Sequence, residues 1–189
     1  MISGLFTQLC LLWFKTTGWS IAGSFPPEKK QYILVVAPHT SNIDFFIGVA
    51  ARHILKINVK YLAKRELFKF PFEGLFLGLG GYPVDRSKKN SLVDQVVGFF
   101  DEDPDFAICV TPEGTRSKTE GWKTGFYVIA QKANVPIVMV GFDYQKKQVI
   151  VSDFFDPSGD MEKDILFMHK FFEKIVPKHP EMSMYPMGN

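Results

Sequence analysis

The chain has no Gly-x-Ser-x-Gly turn and no Gly-x4-Gly-Lys-Ser/Thr loop. A serine nucleophile on an α/β-hydrolase elbow and nucleotide chemistry on a P-loop both lack their local signature. Histidine is scarce: His39, His53, His169 and His179 are the full set, and no two of them have zinc-ligand spacing. The two cysteines, Cys10 and Cys109, form neither a disulfide framework nor a redox motif. Cys109 sits in an apolar run, which suits a reduced core thiol and a reducing, cytoplasmic compartment. Formal net charge is only +2, so total charge argues for no nucleic-acid partner. There is also no clean run of about 20 apolar residues, the length a spanning helix needs. The apolar stretch from Ile2 to Ala22 is interrupted by Lys15 and sprinkled with Thr, Gln, Gly and Ser. A second, Arg65 to Gly81, is broken by Pro71 and four glycines. No positive charge precedes Lys15, so a signal peptide is not expected.

What is present fits one globular domain. The chain has 189 residues, 46% hydrophobic and 22% charged, enough to bury a core. Phenylalanine is abundant, at 19. A Phe-rich core is the simpler account, and an apolar tunnel or membrane-facing surface is the alternative. Leu5, Phe6, Leu9, Leu12 and Trp13 fall broadly on one side of a helix, so residues 1–24 are expected to form an N-terminal amphipathic helix ahead of a domain from 25 to 189. Two positions suit that helix equally. It can lie in a membrane interface with Trp13 and Trp19 as anchors, or it can pack on the domain. Charge is uneven: between Arg52 and Lys89 there are nine basic residues against three acidic ones. Solvated helix faces produce such runs, and so does a face that meets anionic lipid or phosphate.

Apolar runs and helical spacings alternate along the rest of the chain. Strands are expected at Tyr32–Ala37, Val59–Ala63, Tyr82–Asp85, Phe106–Val110, Pro136–Val140 and Gln148–Val151. Helices are expected from Ile43 to Leu55, around Leu92 to Phe100, around Phe126 to Ala133 and around Met161 to Ile175. Between the second and third strands, Pro71 and the glycines predict a bent or broken helix beside a pocket. Phe25–Lys30 reads as a linker, and the tail from Pro177 as frayed. Together these predict an α/β fold: a mixed, largely parallel sheet flanked by helices, with a short N-terminal amphipathic helix.

The residues able to do chemistry fall where strands end, the edge at which open α/β sheets bind ligands. His39 follows the first strand and Asp44 opens the next helix. With His39 in the turn and Asp44 in the first helical turn, the carboxylate can orient the imidazole, which can then take a proton from a hydroxyl. Ser41 or Asn42 can cap that helix. Thr111-Pro-Glu-Gly-Thr-Arg-Ser117 is a tight turn after another strand. Gly114 allows close backbone approach, Thr115 and Ser117 can donate hydrogen bonds, and Arg116 offers a fork that matches phosphate. Glu113 beside it can aim Arg116 or bind acceptor hydroxyls. An ordinary turn with a surface ion pair accounts for the same residues. Gly80-Gly-Tyr-Pro-Val-Asp-Arg86 follows similar logic, although Asp85-Arg86 alone suits a structural ion pair. Lys64, at the end of the second strand, can add positive charge, or be one half of a solvated pair with Arg65. His53 reads as a partly exposed structural residue, and His169 and His179 carry no motif.

Four blocks in this order resemble the glycerophospholipid acyltransferase family, which includes the 1-acylglycerol-3-phosphate acyltransferases. His39-x4-Asp44 resembles the family's catalytic block. Gly81-Tyr-Pro-Val-Asp-Arg86, Pro112-Glu-Gly-Thr-Arg-Ser117 and Val135-Pro-Ile-Val-Met-Val140 resemble its second, third and fourth. The chain departs from the family pattern at Met139, Thr111 and Pro38, none of which removes a proposed chemical group. The resemblance implies that His39 deprotonates the acceptor hydroxyl while Asp44 orients it. It implies that Arg86, Glu113, Gly114, Thr115 and Arg116, with Lys64 nearby, hold a phosphate-bearing head. It further implies acyl-CoA or acyl carrier protein as donor, a lysophospholipid acceptor, no metal or other cofactor, and a peripheral place on the cytoplasmic face of a membrane. A relative acting on another headgroup, such as an aminolipid, a transacylase, and a non-catalytic lipid-binding module are the rivals.

Overall fold

The computed structural model describes residues 4–25, 29–69, 71–84 and 92–185. Arg86, with Asp85 beside it, lies outside the described residues, as do 26–28 of the expected linker and the last four residues of the tail.

Among the described residues, seven strands form one sheet: β1 (Ser20–Ala22), β2 (Tyr32–Val36), β3 (Lys60–Lys64), β4 (Gly81–Val84), β5 (Ala107–Val110), β6 (Ile137–Asp143) and β7 (Gln148–Val151). Their spatial order is β1-β7-β6-β2-β5-β3-β4. Every neighbouring pair is parallel except β6–β7. Five parallel strands therefore form the body, and β7 and β1 form an edge running the other way. The expected fold class, α/β with a largely parallel sheet flanked by helices, is what the chain adopts. β1 has no counterpart in the expected strands, because it hides in the tail of the N-terminal apolar stretch. Its pairing with β7 supplies what its three residues cannot specify alone.

The described residues hold six α-helices around the sheet: α1 (Gly4–Thr17), α2 (Ile43–Ile54), α3 (Glu73–Gly78), α4 (Leu92–Glu102), α5 (Gly125–Ala133) and α6 (Met161–Phe172). Every residue of β2 is buried, as expected of a central parallel strand covered on both faces. Strand alternation then divides the core. Ile33 and Val35 point toward α4, α5 and α6, packing with Val96, Phe100, Tyr127, Met168 and Phe172. Leu34 and Val36 point the other way, into a layer with Phe14 of α1 and Ile47, Ala50 and Ala51 of α2. The broken-helix segment comes out as a single 3-10 turn at Arg65–Leu67 and, after a turn at Pro71 and Phe72, the short α3.

The connection after β2 leads to α2 on one face, and the connection after the adjacent β5 leads to α5 on the other. The chain thus diverges between two neighbouring parallel strands. That is a topological switch point, and it opens a crevice at their carboxyl ends.

Two local features differ from expectation. The tail from Pro177 is packed, not frayed, through Tyr185. Ser183 and Tyr185 are buried, and the His179 amide donates to Thr40 Oγ1 at 3.2 Å. Tyr185 is held by its hydroxyl, 2.8 Å from Nδ1 of His169, and that ring lies against Trp122. His53 is buried rather than partly exposed, its ring edge-on to Phe6 of α1 at 4.6 Å.

Ile33 is fully buried at the centre of the sheet and cannot be replaced by relaxation of a loop. Ile33→Ala is expected to lower unfolding free energy by about 2–5 kcal/mol, read from denaturant midpoints. A loss below that range would show that the β2 layer repacks.

Candidate active site

β2, β5 and β6 are parallel neighbours, so their carboxyl ends lie along the same edge. Each delivers a different part of one site. β2 brings His39 and Asp44, β5 brings the turn at 111–117, and β6 brings Tyr144.

Asp44 is almost completely enclosed, at 2% exposure. Its Oδ2 lies 3.0 Å from His39 Nδ1 and accepts from the backbone amides of Thr40 and Ser41, each at 3.0 Å. Its Oδ1 accepts from the Tyr144 hydroxyl at 2.5 Å. Burial alone would raise the carboxyl, but the hydrogen bonds from His39, Tyr144 and the Ser41 amide outweigh it and hold Asp44 below the usual carboxylate range. An ionised carboxylate only accepts hydrogen bonds. The proton between the two side chains therefore sits on Nδ1, which in the neutral imidazole leaves the lone pair on Nε2. Among the described residues Nε2 has no partner, and His39 lines the neighbouring cavity.

The start of α2 makes this spacing work. Ser41 Oγ accepts from the Ile43 amide at 3.2 Å, whereas Asn42 makes no side-chain cap. Asp44 itself bridges back to the amides of Thr40 and Ser41, taking on work the sequence pattern assigned to a cap residue. The first helical turn is thereby tied to the loop that carries His39.

Glu113 turns inward. It is 5% exposed, and its Oε2 accepts from the His39 backbone amide at 2.7 Å. Burial pushes its carboxyl above the usual range, against the opposing pull of the His39 amide. It therefore ties the two strand-end turns together, a contact no sequence pattern announced. Gly114 adopts φ +65 and lies under Lys123; a Cβ there would approach Lys123 Nζ to 2.7 Å. Thr115 Oγ1 accepts from the Ser117 amide at 3.1 Å, which shapes the turn, and Arg116 stands exposed at the rim. Lys64 is the last residue of β3, at the same edge; its side chain, like Arg86, lies outside the described residues. The structure thus brings together His39, Asp44, Glu113, Gly114, Thr115 and Arg116.

A cavity of about 650 Å³ runs from His39 and Asp44 along α2, reaching Arg52 and Leu55. Its walls are mainly apolar and include Leu34, Val36, Val140, Phe142 and Ile129. Arg116 and Lys123 also line it. Cys109 belongs to this wall, and burial pushes its thiol up to about 12, so it is chemically quiet. Arg52, counted from sequence among surface cations, instead turns inward and donates from Nη1 to the Leu79 carbonyl at 3.0 Å.

Sequence reasoning missed Tyr144 and Lys123. Tyr144 is 100 residues from Asp44, and only the β2–β6 pairing brings them together. Lys123 carried no spacing signal; the Lys123 amide donates to Pro112 O at 2.8 Å, and this backbone bond folds it over the turn.

The arrangement provides a base with a free lone pair, an apolar cavity for a chain, and cations at the rim for an anionic group. A search of curated proteins finds no match. Among solved structures, the crystal structure of the 1-acyl-sn-glycerophosphate (LPA) acyltransferase PlsC from Thermotoga maritima is similar, with a TM-score of 0.64 and 19% identity. The alignment covers 89% of this chain and 75% of that one, and it establishes likeness of fold. The sequence model of the acyltransferase family matches residues 22–143, a span that holds His39, Asp44 and the 111–117 turn. With most of its length inside that match, this chain belongs to the acyltransferase family.

Proposed function

We propose that the protein transfers a fatty acyl group from a thioester, acyl-CoA or acyl carrier protein, to the hydroxyl of a lysophospholipid such as 1-acylglycerol-3-phosphate. The observation that carries this proposal is the His39–Asp44 pair at the mouth of an apolar cavity whose rim bears Arg116 and Lys123. Nε2 of His39 takes the proton from the acceptor hydroxyl. The alkoxide attacks the thioester carbonyl carbon, the carbon–sulfur bond breaks, and the thiolate leaves with the proton from the imidazolium. Asp44 supports the imidazolium through Nδ1 throughout. General-base help of this kind is worth about 10² to 10⁴ in rate. Holding two amphipathic substrates in line supplies much of the remainder. A thioester is already activated, so these steps call for no cofactor.

Arg116, with Lys123 above Gly114, is positioned to meet the phosphate of the acceptor, and Thr115 shapes the turn between them. Arg86 and Lys64 complete this group if they follow the family pattern. Glu113 contributes through the His39 amide.

The substrates are lipids, and the surface of α1 suits a membrane. Cys10 and Phe14 are buried against the domain, while Leu5, Leu9 and Leu12 stand 73%, 54% and 57% exposed. Phe46 of α2 and Phe72 are exposed as well. No helix among the described residues is long and apolar enough to cross a membrane. A helix packed on one side and apolar on the other is suited to lie in an interface, and we place the protein peripherally on the cytoplasmic face. Trp19 is half-buried, with its ring edge-on to Tyr144 at 5.1 Å.

His39→Ala is expected to lower acyl transfer by about 10² to 10⁴ while leaving fold and vesicle binding intact, measured by mass detection of the acylated product. Full activity in that variant would sink the mechanism. Arg116→Ala is expected to raise the acceptor KM on the order of tenfold or more, the cost of one charge-assisted contact. If an acceptor without phosphate is used as well as one that bears it, the phosphate assignment fails. Replacing Leu5, Leu9 and Leu12 together by Ser is expected to release the protein from anionic vesicles in a flotation assay with its thermal unfolding unchanged. Retained binding would move the membrane contact to another face.

A further inference from the structure

We propose that Tyr144 is a positioning residue for this reaction, acting through Asp44, and that Trp19 sets its ring. The inference rests on the proposed role of His39 and Asp44 and adds a third member to that pair.

Asp44 has two oxygens with different duties. Oδ2 serves His39 and the amides of Thr40 and Ser41, and Oδ1 receives the Tyr144 hydroxyl at 2.5 Å. A carboxylate held at one oxygen only can rotate about its own axis, and its aim at Nδ1 then drifts. A donor fixed on Oδ1 removes that freedom. Tyr144 is absent from the cavity wall, and its hydroxyl is directed to Asp44. Burial and the Asp44 carboxylate push its hydroxyl far above the ordinary range, so it stays protonated and can only donate toward Asp44. The titratable groups facing Asp44 are His39 after β2, Glu113 after β5 and Tyr144 after β6.

Tyr144 is itself held from three directions. Its amide donates to the Val176 carbonyl at 2.8 Å, in the segment after α6. Its ring meets Trp19 edge-on at 5.1 Å, and Trp19 in turn lies against Phe14 of α1. The Lys147 ammonium donates to the Thr17 carbonyl at 2.9 Å, and the Ser20 amide donates to the Lys147 carbonyl at 3.0 Å. The β6–β7 turn is therefore clamped to the junction between α1 and β1. The helix assigned to the membrane connects to the reacting pair through two aromatic contacts, Phe14–Trp19 and Trp19–Tyr144, and one hydrogen bond.

The test is Tyr144→Phe in the full chain, assayed with palmitoyl-CoA and 1-oleoylglycerol-3-phosphate across pH. The expected result is a fall in kcat of about 2- to 10-fold, the worth of one hydrogen bond, with both KM values unchanged. The His39–Asp44 pair titrates as a unit, and Asp44 without Tyr144 is more easily protonated. The acid limb of kcat/KM is therefore expected to move to higher pH. Wild-type kcat with an unmoved limb overturns the proposal. A fall in activity that tracks lost folded protein, with the limb unmoved, overturns it too, since that is a purely structural effect. Trp19→Ala supplies the second variant: it keeps the hydroxyl but frees the ring, and is expected to lower kcat in the same direction. Unchanged kcat there removes the role of Trp19. His39→Ala is run in parallel. If it is inactive while Tyr144→Phe behaves as wild type, only the role of Tyr144 is lost; if it is fully active, the general-base mechanism itself has failed.

Discussion

A single buried carboxylate organises this protein's site. Asp44 receives four hydrogen bonds: one from the His39 ring, two from the amides of Thr40 and Ser41, and one from Tyr144. Removing a charge from water costs several kcal/mol unless donors replace the lost solvation. Here the donors come from two parts of the chain, the turn after β2 and the turn after β6, and they converge on a residue in the first turn of α2. The same bonds that keep the charge ionised also fix where those parts sit. Stability and preorganisation rest on one set of contacts, and the histidine tautomer follows from them.

The sheet explains why those parts meet. Parallel strands place all their carboxyl ends on one edge, and divergence of the chain between β2 and β5 leaves a crevice there. Glu113 bridges that crevice by accepting the His39 amide. This bond offsets only part of the cost of burying Glu113, and it ties the turn carrying the base to the turn carrying Arg116. A flexible pairing would leave the proposed base and the proposed phosphate contact free to move independently, which transfer between two held substrates does not tolerate.

The apolar half of the site has a different origin. The cavity lies under α2, walled by the β-branched and aromatic residues that also form the core layer shared with α1. α1 closes this layer with Cys10 and Phe14 and turns Leu5, Leu9 and Leu12 outward. One helix thus finishes the core and offers an apolar exterior, which fits a protein whose proposed substrates reside in lipid.

Much of this was legible in the sequence. Alternating apolar runs specified the α/β class, because strands and helices each need one buried face and their periods differ. His39, Asp44 and the 111–117 turn were recognisable because glycine, proline and cap residues mark where a strand must end. Other features were not, for physical reasons. β1 is three residues long and becomes a strand only through its pairing with β7. The order of motifs could not tell that Glu113 faces the His39 amide rather than solvent, since side-chain direction in a turn depends on what packs behind it. The tail through Tyr185 read as frayed because Pro and Met carry no periodicity, yet Tyr185 docks on His169. Tyr144 is the clearest case. Local pattern determined the strand that ends beside it, but its hydroxyl reaches Asp44 across 100 residues, and only the pairing of β6 with β2 decides that contact.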